Sequence, residues 1–458
     1  MNTRRLGILF FILILPLTLY FLFAKDEVKN PIPFLLKTTP VKESHLAIDQ
    51  WKTQNGVPVY FVPTEGLPIV DIQVDFAAGA ARDGSKPGLA LLSANLLSEG
   101  AGNLTVDDIA AKFDDVGAIY NAQISKDRAM ISLRSLNDPK LLNPVVEVFA
   151  TVLSNPNFPD ANIENLRNET LVGLQYNLQK PNAVAAQAYF KAIYADHPYA
   201  HIAMGTPESV AAITKAQLVA FHQQYYVAKN AVLTIVGGIT KQQAIELSNL
   251  ITSKLQMGNS AAPIPKVPAL TKATEQQTPF PTEQTHILMG QPCAVEGDPD
   301  YYPLLIGNYI LGGNALNSRL FKVIREDRGL AYSVGSTLIL LQQAGPFILQ
   351  LQTKNDQAKE AVGLLKETLT RFVKEGPTEE EVKEAKEGLV RALPLEVNNN
   401  LNIKSYVSTL AFYQLPLNRF QTAPKQIRAV SVADIKSVFQ RRIDPEKMAL
   451  IVVGSPTN

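Results

Sequence analysis

The chain has 458 residues, with 43 Lys and Arg against 42 Asp and Glu, so its formal charge is only +1. A hydrophobic content of 46% with 19% charged residues is globular composition, and at ~100–200 residues per domain the length accommodates several domains. The charge balance excludes a broad electrostatic footprint for nucleic acid, and the single cysteine, Cys293, excludes an intrachain disulfide framework and any cysteine-based zinc ribbon or finger.

Arg4 and Arg5 precede Leu6–Ala24, nineteen uncharged residues reading LGILFFILILPLTLYFLFA. That length falls between the ~7–15 apolar residues of a signal-peptide core and the ~20 of a spanning helix. Residues 1–24 therefore read as a signal peptide or an N-terminal membrane anchor. Ala24 suits a cleavage position, Leu22 two residues before it does not, and Pro16 is compatible with spanning. The basic flank puts the amino end inside and the rest on the exported side, periplasmic, either soluble or anchored by residues 6–24. A buried core helix is the bland alternative, which the N-terminal place and basic flank disfavour.

Residues 25–45 form a polar, proline-containing tether. Asn55-Gly56 is a hairpin signal between Trp51–Lys52 and Val57–Val62. In Val70, Ile72, Val74 and Phe76 the apolar residues alternate with Asp71, Gln73 and Asp75, a period of two that predicts a half-buried strand. Gly88–Ser98 predicts a short helix. Thr105-Val-Asp-Asp108 resembles a capping box for a helix ending at Gly117. Strands follow around Ala118–Ile124 and Ala129–Leu136. Asp138-Pro139 opens a helix by the cap-then-proline rule, and Asp160–Gln179 predicts a longer one. Residues 257–283 hold Pro263, Pro265, Pro268, Pro279 and Pro281, which favour extended chain, and read as a linker.

The segments on either side of this linker repeat. Thr214–Phe221 leads to Leu233-Thr-Ile-Val-Gly237, as Ser431–Val438 leads to Leu450-Ile-Val-Val-Gly454. Upstream, GLALLSANLLSEGAG has a counterpart in PLLIGNYILGGNALNSRLF. Two such pairs in one order indicate duplication. The expected fold is α+β with two homologous halves, 46–256 and 284–458, each a mostly antiparallel sheet packed with helices.

Several motifs carry a family resemblance: Asn55-Gly56, Gly88-Leu89-Ala90, His197-Pro198-Tyr199 with Gly205-Thr206, and Leu311-Gly312-Gly313. Ser318-Arg319-Leu320-Phe321 and Arg325-Glu326 with Gly329-Leu330-Ala331-Tyr332-Ser333 complete the set. Together they resemble the pitrilysin/insulinase-type zinc metallopeptidases, in the bacterial branch related to the mitochondrial processing peptidase, over residues 45–458. The resemblance implies a His-x-x-Glu-His zinc helix directly after Gly-Leu-Ala, with the glutamate activating water. Here those positions hold Leu91, Ala94 and Asn95. The further glutamate ligand aligns near Gly173, with Glu164 and Glu169 on the same predicted helix. Leu and Ala offer no donor atom, so no catalytic zinc is expected in this chain.

Other histidines do not replace the site. His197 and His201 have ligand-like i,i+4 spacing, but Pro198 between them disfavours a helix interior, and the bland reading is a turn. His45, His222 and His286 are isolated. Cys293 reads as a small buried hydrophobe. Gly312-Gly313-Asn314 reads as a left-handed helix cap, with close approach to a peptide as the alternative. Thr378-Glu-Glu-Glu381 is a helix start.

Arg325 and Tyr332 are different. The resemblance implies that residues at these positions project from the C-terminal half, hydrogen-bond the substrate backbone and stabilise the carbonyl oxygen where charge develops. Tyrosine suits an oxyanion as a neutral donor, and arginine presents a fixed fork of donors to carbonyls. The bland alternative makes Arg325 a surface charge and Tyr332 a packing residue. The expected function is a zinc-less, substrate-binding subunit of a heterodimeric metalloendopeptidase, inactive alone. A homologous zinc-bearing partner would supply metal and general base, and peptides or unfolded polypeptides would be cleaved. The rival is a non-proteolytic peptide-binding or scaffold protein, since folds outlive their chemistry. A self-sufficient peptidase is disfavoured by the ligand count.

Overall fold

The computed structural model describes residues 46–455, so the readings of 1–24 and 25–45 lie outside the described residues. The N-terminal half begins with the predicted hairpin. Gly56 takes φ +82, and β1 (Asp49–Lys52) folds antiparallel onto β2 (Pro58–Pro63). Next come β3 (Ile69–Phe76), α1 (Leu89–Asn95), a small ribbon of β4 (Gly100–Ala101) and β5 (Leu104–Thr105), and α2 (Val106–Asp114). Thr105 and Asp108 make the predicted reciprocal capping box. After β6 (Ile119–Ile124) and β7 (Ala129–Leu136), Asp138 caps α3 (Pro139–Ser154) by accepting from Lys140 N–H at 3.0 Å. Then α4 (Asp160–Leu178), α5 (Pro181–Tyr194) and β8 (Ala231–Gly237) complete a sheet ordered β1-β2-β8-β3-β7-β6.

The second sheet uses β9 (Thr274–Pro279), β10 (Gln284–Ala294), β11 (Ala331–Leu338), β12 (Gly345–Lys354) and β13 (Ala449–Gly454). Its order is β11-β12-β10-β13-β9. From β2 and from β9 inward, the two sheets have the same sequence of neighbours: one parallel pair, then three antiparallel pairs. Pro63 lies opposite Gly237, and Pro279 opposite Gly454. The duplication read from the sequence is thus a duplication of strand order. Strand β9 falls within the proline-rich stretch, where its proline is harmless because an edge strand has an unpaired side. Among the described residues nothing corresponds to β1 in the second sheet. The residues of β9 are accordingly polar and almost all exposed, with Glu275 paired to Lys366 at 3.6 Å, as an edge that avoids pairing requires.

Each half lends a helix to the other's sheet. Helix α5 lies on the C-terminal sheet, where Tyr189 and Tyr194 donate to Phe347 O (3.2 Å) and Ala344 O (3.0 Å), and Ile193 packs with Ile451 and Val453. Gly290 has no side chain because a Cβ there would stand 2.5 Å from Tyr189 Oη and 2.0 Å from Phe347 O. Reciprocally, helix Asn400–Phe412 lies on the N-terminal sheet, with Ile403 and Val407 against Val62 and Val236.

That second contact corrects one expectation. Strand β3 alternates as predicted but is buried on both faces, because helix Asn400–Phe412 covers its polar side. The polar residues are matched there. Asp71 receives a two-pronged contact from Arg134 (2.8 and 2.9 Å), Asp75 accepts from Arg128 at 3.1 Å, and Gln73 donates to Ser408 Oγ at 2.9 Å. Burial pushes Asp75 up to about 6, opposed by Arg128, Gln73 and Lys404. Alternation identifies a strand, but it cannot tell solvent from a polar partner.

The tip of the β6–β7 hairpin joins the halves. Asp127, 1% exposed, accepts from Tyr199 Oη, from Tyr413 Oη at 2.9 Å and from the Gln342 amide at 2.8 Å. Arg128 beside it lies over the Phe412 and Tyr413 rings, and Lys126 donates to Tyr199 O at 2.9 Å.

Candidate functional site

Helix α1 occupies the place of the implied zinc helix. It starts from Gly88, whose φ of +100 and close neighbours, Met204 O and Val210 each 3.0 Å from a would-be Cβ, favour glycine. The buried Asp83 carboxylate satisfies the helix start by accepting from Gly88 N–H (2.9 Å) and Ala90 N–H (2.7 Å). Burial still pushes Asp83 up to about 7, against those bonds and Lys126. Of the three substituted positions, Ala94 is fully buried while Leu91 and Asn95 are half-buried. On α4, a Cβ at Gly173 would stand 3.2 Å from the Met204 methyl, Glu164 is exposed and paired to Arg167, and Glu169 is exposed. Among the described residues, no three His, Cys, Asp or Glu side chains are grouped to hold a metal ion. Elemental analysis of residues 25–458 after mild chelation is expected to find no stoichiometric zinc. One tightly held zinc per chain would overturn the assignment of a degenerate site.

The histidines take structural roles. His197 caps a single turn, Pro198–Ala200: Nδ1 accepts from Tyr199 N–H at 3.1 Å, and Nε2 meets Pro265 O at 2.8 Å. His201 follows that turn rather than sharing a helix face with His197. Cys293 is buried, and its thiol is pushed up to about 12 by burial. His222 is buried against Tyr226, with Nε2 2.9 Å from Leu153 O, and burial pushes it down to about 4 from an ordinary 6.5. The unfolded chain therefore takes up the His222 proton at a higher pH than the folded one. The stability this group contributes is complete above pH 6.5 and is lost as pH falls to about 4, about 3 kcal/mol in all. Urea unfolding at pH 7 and pH 4 should show this loss in the native chain and a smaller one in His222→Gln.

Arg325 and Tyr332 are presented rather than packed. Arg325 sits in a wide helical turn closed by Asp327 N–H to Lys322 O at 2.9 Å, an i→i+5 bond of the kind that recurs at functional sites. Its guanidinium lies 5.1 Å from the centre of the Phe321 ring. Gly329, at φ +63, then reverses the chain, and Leu330 N–H bonds back to Ile324 O at 2.9 Å. Tyr332 follows on the edge strand β11, where the register shifts from Ala331↔Thr353 to Ser333↔Gln352. Tyr332 is the extra residue of that bulge and is 75% exposed. Among the described residues, neither side chain makes a hydrogen bond or ion pair. Arginine's donors and the phenol hydroxyl are therefore available to carbonyl oxygens.

Two supports were not evident from residue types alone. Arg319 grips Glu381 with both prongs at 2.6 Å and donates to Gly376 O at 3.0 Å, tying the wide turn to the start of helix Glu379–Ala392. The two lie 62 residues apart in sequence, so no local pattern announces such a pair. The glycine pair corrects another expectation. Neither Gly312 nor Gly313 takes a positive φ. Residues Tyr309–Gly313 close a second wide turn, Asn314 N–H to Tyr309 O at 3.1 Å, and a Cβ on Gly312 would stand 2.4 Å from Ser336 N. The glycine lets this turn lie directly on β11.

Comparison with known proteins agrees with this architecture. A family description, Insulinase (Peptidase family M16), matches residues 62–207, and another, Peptidase M16 inactive domain, matches 212–389. The chain is similar to the crystal structure of a peptidase M16 inactive domain from Pseudomonas fluorescens: 33% identity, 90% of this chain and 98% of that one, TM-score 0.86. It is 24% identical to a Bacillus subtilis protein named uncharacterized zinc protease YmxG, over 90% of this chain and 99% of the relative. A Helicobacter pylori relative named non-peptidase homolog YmxG is 26% identical over 90% of this chain and 94% of its own length.

Proposed function

Because the chain belongs to the peptidase M16 (insulinase) family and holds Leu91, Ala94 and Asn95 where that family's zinc helix has its chemistry, we propose that it is the substrate-binding subunit of a heterodimeric zinc metalloendopeptidase. One observation carries the reading: Arg325 and Tyr332 are exposed on a wide turn and a bulge, with no polar partner among the described residues, although the zinc positions are gone. A purely structural pair would be expected to find partners or pack. The homologous partner brings a His-x-x-Glu-His helix, and hence the metal and the general base. This chain brings donors that hold an extended substrate backbone and stabilise the developing oxyanion. Substrates are peptides or unfolded polypeptides, and the chain alone is inactive. The basic flank and apolar run of residues 1–24 further suggest a periplasmic place, soluble or anchored. A reporter fused after Asn30 tests this, and cytoplasmic activity would defeat it.

The test of function is coexpression with a zinc-bearing homologue, copurification, and a peptide-cleavage assay in which neither chain is active alone. The name of the Helicobacter pylori relative favours a second reading, a non-proteolytic peptide-binding or scaffold protein. Stable copurification without any zinc-dependent cleavage would make that reading the better one.

A further inference from the structure

We infer that Thr353 is a positioning residue for Tyr332: its buried hydroxyl holds open the bulge that aims the tyrosine. The inference rests on the substrate-handling role proposed above.

The repeat supplies an internal control. Strands β6 and β7 are the N-terminal counterparts of β11 and β12, and they pair without interruption from Ile119↔Arg134 to Ile124↔Ala129. Only the C-terminal pair is interrupted, and the inserted residue is Tyr332. An extra residue in an antiparallel pair breaks the ladder and leaves a backbone group to satisfy. Thr353, 2% exposed, stands opposite Ala331, and its Oγ1 donates to Leu330 O at 2.5 Å. The carbonyl just before the bulge is thereby fixed from the neighbouring strand. On the other side, Leu330 N–H is already held by Ile324 O, and Gly329 N–H by Arg325 O at 3.0 Å. Of the eight residues from Arg325 to Tyr332, Gly329 and Leu330 are thus tied back to the wide turn, and Leu330 also to the neighbouring strand. Thr353 is its only tie to a neighbouring strand through a side-chain hydroxyl among the described residues.

Threonine suits this task better than serine would, since its methyl group fills the buried site while χ1 is restricted. Valine keeps that shape and removes only the donor. Without it, Leu330 O loses its partner and the bulge is free to re-register, which swings an otherwise unpartnered side chain.

The experiment compares Thr353→Val, Thr353→Ser, Tyr332→Phe and the double variant Tyr332→Phe/Thr353→Val in the complex with the zinc-bearing partner. Thr353→Val should lower kcat about tenfold with little change in KM or in the melting midpoint, the scale of loss for a small misplacement of a reacting group. Thr353→Ser should recover most of kcat. In the Tyr332→Phe background, Thr353→Val should have almost no further effect, because the hydroxyl it aims is gone. If Thr353→Val folds poorly, Thr353→Ala tests the same lost donor. An equal loss of kcat in both backgrounds, or an unchanged kcat for Thr353→Val while Tyr332→Phe is slow, overturns the inference alone. A Tyr332→Phe enzyme as fast as the native one overturns the substrate-handling reading and this inference with it.

Discussion

In an active complex with a zinc-bearing partner, Tyr332→Phe is expected to slow peptide cleavage by ~10²–10³ in kcat, roughly 2.7–4 kcal/mol, the usual loss for one oxyanion donor. The size of the effect follows from what stays constant. Tyr332 is 75% exposed and makes no side-chain hydrogen bond among the described residues, so removing its hydroxyl leaves no orphaned partner there and little change in stability. Arg325→Ala should also lower turnover, raising KM as well if its contacts are made equally in ground and transition states. Arg325→Lys should restore little, because a point ammonium lacks the guanidinium's planar fork. The measurement is kcat and KM of the purified pair, with gel filtration to confirm assembly. Unchanged kinetics for both Tyr332→Phe and Arg325→Ala would remove the proposed role from this site.

The largest effect on stability is expected at Asp127. Replacing it with alanine strands three donors at once: the Tyr199 and Tyr413 hydroxyls and the Gln342 amide. Tyr199 is fully buried and the other two are partly so, and an unsatisfied buried donor typically costs about 1–3 kcal/mol. The native network already contains the compensation for burying the carboxylate, so its removal brings no relief to the tyrosines. Asp127→Ala should therefore lose about 3–5 kcal/mol in urea unfolding. Asp127→Asn keeps one acceptor oxygen and should lose clearly less. A loss below about 1 kcal/mol for the alanine variant would mean that water or a shift of the hairpin satisfies these donors.

Much of this was legible in the sequence because its causes are local. Thr105–Asp108, Asp138-Pro139 and Thr378–Glu381 each declare a helix start through a side chain that bonds backbone within a few residues, and Asn55-Gly56 declares its turn through the positive φ that glycine tolerates. The repeat was legible because the glycine-ended strands β8 and β13 sit at equivalent places in sheets of the same order. What escaped is nonlocal. The polar face of β3 looked solvent-facing because its cover arrives from residues 400–412, more than 300 positions later in the chain. Thr353 and the Arg319–Glu381 pair act through partners on other elements, and their residue types carry no signature. The glycine pair at 312–313 reads as a left-handed cap because such a cap also needs the absence of a Cβ, and only the contact with Ser336, on another element, shows what the absence serves.

The exchange of helices between the halves bears on the order in which the molecule can be completed. The N-terminal sheet leaves the ribosome first, with Asp71, Asp75, Arg128 and Arg134 on a face whose cover is still unmade. Until residue 412 emerges, that face has its own ion pairs but no Ser408, Thr409 or Lys404, and α5 has no C-terminal sheet to lie on. Neither half can reach its final packing by itself, so the chain matures late and as a whole. With the export proposed above, this delay would keep the chain from locking shut before it crosses the membrane.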